Sequence, residues 1–297
     1  MWNRVWYQPI CSARTRFVTH GVLLLLAFDC LLLMLPRAAL YGSGDFNVAH
    51  LGWLDRQLPM PSPSLYATTL IFVSIFALMI ALGPSQRPLG AVKVIVFLLY
   101  TYGWAMSLLD SYQHHYFVSL VLLCIVFFPQ SKDHADDRTA AWSYQLLGAI
   151  IAIVYLYGAI SKLESGWMSG VTAEEWFDEG WLAEWLGESH TAWTILAWLI
   201  IVSEFALAAG YAVVVMLAES ATGSRGNGLR ISMLVLSFLL HIGIEFVGLR
   251  IGWFSYYMLL LASAFFLPAR FFHLPKPVAS VALSKTAMHS LLWLVLT

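Results

Sequence analysis

Trp142-Ser-Tyr-Gln-Leu-Leu-Gly-Ala-Ile-Ile-Ala-Ile-Val-Tyr-Leu-Tyr-Gly-Ala-Ile-Ser-Lys162 carries no charged side chain until its last residue. A helix needs about 20 mainly apolar residues to cross a hydrocarbon core of roughly 30 Å, so this run is long enough to span a bilayer. It ends on an amine. Runs of the same kind recur along the chain, and the full set lies near 17–40, 66–83, 90–109, 114–129, 142–162, 193–217, 229–249 and 251–267. Together they predict an all-α, polytopic transmembrane helical bundle of about eight spans, forming one domain over residues 1–297. Segment 278–297 is weakly apolar, carries Lys285 and His289, and reads as a ninth span or a surface helix.

The breaks between runs hold the residues that interrupt helices. Pro59, Pro61 and Pro63 precede the second run, Gly83-Pro84 follows it, Pro129 closes the fourth, and Gly223 to Gly228 precede the seventh. Arg4, Arg14 and Arg16 before the first run resemble the basic start of a signal peptide. That run, however, contains Asp29 and no small-residue cleavage site, so it reads as a retained helix.

Composition agrees. The 297 residues are 60% hydrophobic and 11% charged, against roughly 45–50% apolar and about 25% charged for soluble domains. The net charge is -1 and Lys and Arg form no cluster, which excludes a nucleic-acid partner. Cys11, Cys30 and Cys124 are odd in number and form no C-x-x-C pair, so they suggest neither a disulfide framework nor a metal centre.

Charge is distributed unevenly across the eight-run arrangement. Twelve of the 16 Lys and Arg residues fall on the side that holds the N-terminus, leaving Arg37, Arg56, Lys162 and Arg250 on the other. By the positive-inside rule both termini are cytoplasmic. The extracytoplasmic side then receives loop 163–192, with Glu164, Glu174, Glu175, Asp178, Glu179, Glu184 and Glu188. Trp167, Trp176, Trp181, Trp185 and, just beyond it, Trp193 make this region rich in tryptophan. Tryptophan favours the headgroup level, so the loop reads as an interfacial helix or re-entrant cover, or as an aromatic belt that seats the protein.

An ionisable residue at mid-membrane costs about 2.5–3.5 kcal/mol or more, so each needs a partner or a purpose. Asp29, Glu204, His241 and Glu245 are the deepest. His241 and Glu245, spaced i, i+4, share a helix face and are placed to hydrogen-bond each other; an interhelical polar contact or a metal pair completed by other helices are the alternatives. Tyr155, Gly158 and Lys162 also share a face, which lets a flat ligand approach the backbone at Gly158 and meet the amine. Lys162 either snorkels to the headgroups or is held dry and uncharged, the form a base needs. The run Asp110-Ser-Tyr-Gln113-His114-His115-Tyr-Phe117 brings two histidines to the same side as Lys162. Adjacent residues point about 100° apart on a helix, so one of the pair is expected to face the bundle.

Three segments resemble one family. Tyr155-Leu-Tyr-Gly-Ala-Ile-Ser-Lys162-Leu-Glu-Ser-Gly-Trp167-Met-Ser-Gly170 is similar to the segment around the catalytic lysine of the vitamin K-dependent gamma-carboxylases and their bacterial HTTM-domain relatives, with Y-x-Y, K-L and W-x-x-G in order. Gln113-His114-His115-Tyr116-Phe117 resembles their Asn-His-x-Tyr motif, with Gln113 where asparagine is usual. His241, followed by Ile251-Gly252-Trp253-Phe254-Ser255-Tyr256, resembles their His and I-G-x-F-S segment, and Tyr41 to Phe46 their aromatic and acidic loop. Ser161 stands where a second lysine often precedes the base.

The resemblance reaches the membrane domain and implies a lyase-type carboxylase or epoxidase. On it, vitamin K hydroquinone or another quinol reacts with O2, a glutamate of a protein or peptide loses a proton, and CO2 is added. It implies Lys162 as the base, His114 and His241 as groups that orient or polarise oxygenated species, and Gln113, Gly158 and Tyr155 at the quinone. No metal is expected. Two further expectations are a noncatalytic membrane assembly or lipid- or quinone-binding protein, and haem-based quinone oxidoreduction with His20, His114 and His241 as axial ligands.

Overall fold

The computed structural model describes residues 5–7, 9–43, 57–83, 89–107, 113–129, 138–177, 181–216, 224–246 and 252–272. Segment 278–297, Asp45 and Phe46 therefore lie outside the described residues, as does Asp110. The helices are α1 (Ser12–Phe28), α2 (Ala38–Tyr41), α3 (Pro63–Leu82), α4 (Gly90–Ala105), α5 (Gln113–Val126) and α6 (Trp142–Ser161). Three short helices follow, α7 (Ser165–Ser169), α8 (Val171–Trp176) and α9 (Trp181–Leu186), and then α10 (His190–Met216), α11 (Ser224–Phe246) and α12 (Phe254–Phe266). Each of the eight apolar runs contains one long helix, so the protein is an all-α bundle. Five segments, one of them running from Ser12 through Tyr41, are long and apolar enough to cross a membrane. α4, α5 and α12 are apolar but shorter.

The eight long helices close into a ring in sequence order. α1 packs on α3, α3 on α4, α4 on α5, α5 on α6, α6 most extensively on α10, α10 on α11, α11 on α12, and α12 back on α1. α12 is the most enclosed: Tyr257, Met258, Leu261, Ala262, Ala264, Phe265 and Phe266 are all buried. Short connections between most successive helices make antiparallel neighbours the natural arrangement.

Hydrogen bonds at one end of the ring fix this alternation. Arg14, near the start of α1, donates to the carbonyls of Ala264 and Leu267 at the end of α12. Arg230, near the start of α11, donates to Phe265 at 3.0 Å. His20 Nδ1 reaches the Ala81 carbonyl at the end of α3 (2.8 Å), and Lys93 of α4 reaches the Ile125 carbonyl at the end of α5 (3.4 Å). The last carbonyls of a helix have no intrahelical partner and carry its negative dipole end, so cations are the fitting caps. The side of the sequence rich in Lys and Arg thus supplies caps to helices that arrive there. At the same end, β1 (Pro9–Cys11) pairs antiparallel with β2 (Arg138–Ala140), a two-stranded ribbon that hydropathy did not announce.

α1 does not run on evenly. After Phe28 the chain is π-helical over Asp29–Met34 and 3₁₀ over Leu35–Arg37 before α2. Pro36 lacks an N–H and crowds the carbonyl four residues back, so the regular ladder cannot reach it. Asp29, in this widened turn, is buried and accepts a 3.4 Å bond from the Tyr257 hydroxyl.

The tryptophan-rich segment folds as three short helices against α10. Trp167, Ala173, Phe177, Trp193 and Ala197 form a second apolar core there. Of the two readings of this loop, a folded cover and an aromatic belt, the short helices fit the first: Trp167 and Trp193 are buried packing residues, while Trp176 and Trp185 are 52% and 76% exposed. The side chain of Trp181 lies outside the described residues. Gly170 joins α7 to α8 at φ 88°, with Thr194 N only 2.5 Å from where a Cβ would stand, so only glycine makes this corner.

Replacing Arg14 by Met keeps its bulk and deletes two charge-assisted bonds to α12. Thermal unfolding of the detergent-solubilised protein is expected to show a loss of about 2–3 kcal/mol, and a melting temperature equal to wild type would show that these caps do not hold α12.

Candidate functional site

Lys162 ends α6 as its C-cap, and its amine turns back over the last turn. Nζ donates to both carboxylate oxygens of Glu204 on α10, each at 2.9 Å, and lies 3.3 Å from the Gly158 carbonyl. The two side chains are 17% and 14% exposed, so the pair is mostly withdrawn from solvent. The Trp167 ring lies over the amine at 5.4 Å, held in place because Glu164 caps its backbone N–H at 2.9 Å.

Gly158 has a different neighbour from the one its position suggested. A Cβ there would stand 3.2 and 3.3 Å from the two Glu204 oxygens. The close approach that glycine permits is used by this carboxylate, which lies against the α6 backbone where the sequence reading placed a flat ligand. The sequence identifies Glu204 as a deep acid but not as the partner of Lys162. The signal available was an acid and an amine, each isolated in an apolar helix toward the same side of the bundle.

Two turns further into α6, the Tyr155 hydroxyl meets His241 Nε2 of α11 at 2.7 Å, both residues buried. The expected bond between His241 and Glu245 is corrected by this pairing: His241 Nδ1 and Glu245 Oε1 have no hydrogen-bond partner among the described residues. Tyr155 stacks on Tyr211, and the Glu204 carboxylate is within electrostatic reach of the Tyr155 hydroxyl, which joins the two halves of the α6 face.

Phe254, the aromatic of the I-G-x-F-S segment, stands between the histidines. Its ring centroid is 6.2 Å from that of His241 and 6.4 Å from that of His114. His114 and His115 are not splayed apart, since their rings lie 4.1 Å from each other. His115 is the buried member and meets the Tyr100 hydroxyl at 2.8 Å, while His114 is half-buried and faces Phe254. Gln113 opens α5, and its side chain lies outside the described residues. Lys162, Gly158, Tyr155, His241 and His114 thus fall along one strip from the end of α6 to the start of α5, with Phe254 as the link.

His20 takes no part in this strip, being engaged by the Ala81 carbonyl, so the three histidines considered as haem ligands are not gathered. Among the described residues no group of three or more His, Cys, Asp or Glu is assembled as a metal site.

The bond between Tyr155 and His241 is testable. Tyr155→Phe leaves both His241 nitrogens without a partner among the described residues, and a buried unpaired polar group costs about 1–3 kcal/mol. Thermal unfolding should register that loss; unchanged stability would mean the two groups do not depend on each other.

The chain matches the HTTM domain over residues 17–269. No curated protein matches it, and no solved structure does. The matched span contains every member of the strip and all eight long helices except the first turn of α1. The chain belongs to the HTTM-domain family, whose domain is that of the vitamin K-dependent gamma-carboxylase-like proteins.

Proposed function

We propose that this protein is a quinol-using membrane enzyme in which Lys162 is the base that takes a hydroxyl proton. The observation that carries the reading is the position of its amine, mostly buried beneath Trp167 and continuous along α6 with the Tyr155–His241 pair. A base works best where water does not compete for it.

The surroundings suit a flat ring bearing oxygens. Phe254, Tyr155 and Trp167 offer aromatic surface. His241 Nδ1 and Ser255 Oγ, on residues that touch or adjoin Phe254, are buried polar atoms without a protein partner among the described residues. A quinol, as vitamin K hydroquinone or a relative, supplies a hydroxyl proton and the electrons that O2 accepts. In this reading Lys162 holds the proton, His241 is fixed by Tyr155 with Nδ1 left to donate or accept, and His114 presents its ring across Phe254. Addition of CO2 to a glutamate of a protein or peptide is the finer form of the proposal, and the relation of the HTTM domain to the gamma-carboxylases is what supports it. The positive-inside count supports an orientation with both termini cytoplasmic, the multi-pass chain in a lipid bilayer, and Lys162 toward the extracytoplasmic leaflet.

One observation favours a second reading, a noncatalytic quinone- or lipid-binding protein: the amine is already tied to Glu204. Turnover separates the two. Reconstituted protein given vitamin K hydroquinone and O2 is expected to form oxidised or epoxidised product, with Lys162→Ala lowering the rate by about 100-fold or more, the usual contribution of a general base. Equal rates in both proteins would remove Lys162 from the chemistry. Saturable quinone binding without turnover would establish the second reading.

A further inference from the structure

The base assigned to Lys162 has a carboxylate on it. A lysine can accept a ligand's proton only after giving up its own, and the group set against the amine is Glu204, bonded through both oxygens at 2.9 Å. Gly158 admits that carboxylate by lacking a Cβ. Trp167 covers the amine on another side. Resting on the function proposed above, we infer that Glu204 is the proton acceptor that primes Lys162, so that the proton needed to free the amine never leaves the site.

The step balances within the pair. An N–H bond of the Lys162 ammonium breaks, its electron pair stays on nitrogen, and an O–H bond forms on Glu204. Two buried charges become a neutral amine hydrogen-bonded to a neutral acid. Withdrawal from water favours this form, because desolvation penalises each charge separately while a hydrogen bond survives the exchange. A ring that covers the 17% and 14% of the two side chains still exposed pushes the balance further in that direction. Lys162 then accepts a hydroxyl proton and becomes an ammonium again. Glu204 stays neutral, and the negative charge it carried is now on the ligand oxygen, so the net charge of the site is unchanged. Glu204 is a positioning residue in this scheme: it acts on the amine and not on the ligand.

The scheme has a signature that a structural ion pair lacks. Transfer inside the pair exchanges no proton with solvent, so the fraction of Lys162 present as free amine is independent of pH over the range in which the pair holds one proton. An amine that titrates against bulk water gains tenfold in its free form with each pH unit below its midpoint. Acylation by a small membrane-permeant anhydride reads this fraction directly, because only the neutral amine reacts. Wild-type protein and Glu204→Gln in liposomes are labelled between pH 6 and 9, corrected for reagent decay, and acetylated Lys162 is quantified by peptide mass spectrometry.

The wild-type rate is expected to stay constant within about twofold across the range, while E204Q departs from it at least tenfold at one end. A wild-type rate climbing about tenfold per pH unit, or an E204Q profile superimposable on wild type, overturns the inference. If E204Q does not assemble, the wild-type profile decides alone. Turnover is measured beside it with vitamin K hydroquinone and O2: absence of turnover in wild type removes the quinol reading, whereas the labelling profile still decides whether the pair shares one proton.

Discussion

Inside a ring of apolar helices a polar group left without a partner is costly, because lipid offers nothing in exchange. That constraint orders this structure from one end to the other. At the basic end it concerns backbone carbonyls. Arg14 and Arg230 converge on the last turn of α12, and His20 and Lys93 meet the last turns of α3 and α5. The charge asymmetry used to orient the chain in the membrane is, in part, the same set of residues that closes its helix ends. At the opposite end the constraint concerns side chains, and it brings Lys162 to Glu204 across the tightest helix pair in the bundle, α6 and α10.

The coincidence of that pair with the α6–α10 contact has a physical reason. Gly158 removes the side chain that would otherwise hold α10 away at this level, and the carboxylate enters the space. One turn deeper Tyr155 sits stacked on Tyr211 of α10 and bonded to His241 of α11. A single helix face therefore passes from a close polar contact to an aromatic one. The short helices α7 to α9 add the third side by holding Trp167 above the amine, through the Glu164 cap and the Gly170 corner.

How much of this the sequence disclosed follows from the range of each interaction. Apolar length is a local property, and each of the eight runs contains a helix; seven have ends within about five residues of those expected, while in the first the regular helix stops at Phe28 and the π-helical and 3₁₀ turns carry the chain on to Arg37. The tryptophans were legible as a group but not individually, because burial of Trp193 and exposure of Trp185 depend on how α7 to α9 fold back onto α10. The strip of Lys162, Tyr155, His241 and His114 was recoverable from motif resemblance and from helical spacing within α6. The partners were not: Glu204 is 42 positions from Lys162, and His241 is 86 from Tyr155. The pairing of His241 with Glu245 failed because spacing along one helix says which groups share a face, not what a neighbouring helix brings to it.

The same logic explains why the polar atoms left over are informative. Six buried side-chain atoms lack a protein partner among the described residues: Ser43 Oγ, just after α2, Ser237 Oγ on α11, and four on residues in or beside the Tyr155–Phe254 region, namely His241 Nδ1, Glu245 Oε1, Ser255 Oγ and the Tyr211 hydroxyl. The opposite end of the bundle satisfies its polar groups with arginines reaching between helices. Unmatched nitrogen and oxygen atoms beside an aromatic contact are where a ligand with matching oxygens gains most. The Lys162–Glu204 pair borders that region: with nitrogen and oxygen 2.9 Å apart, passage of a single proton along the hydrogen bond converts the border from ionic to neutral without a change of helix position.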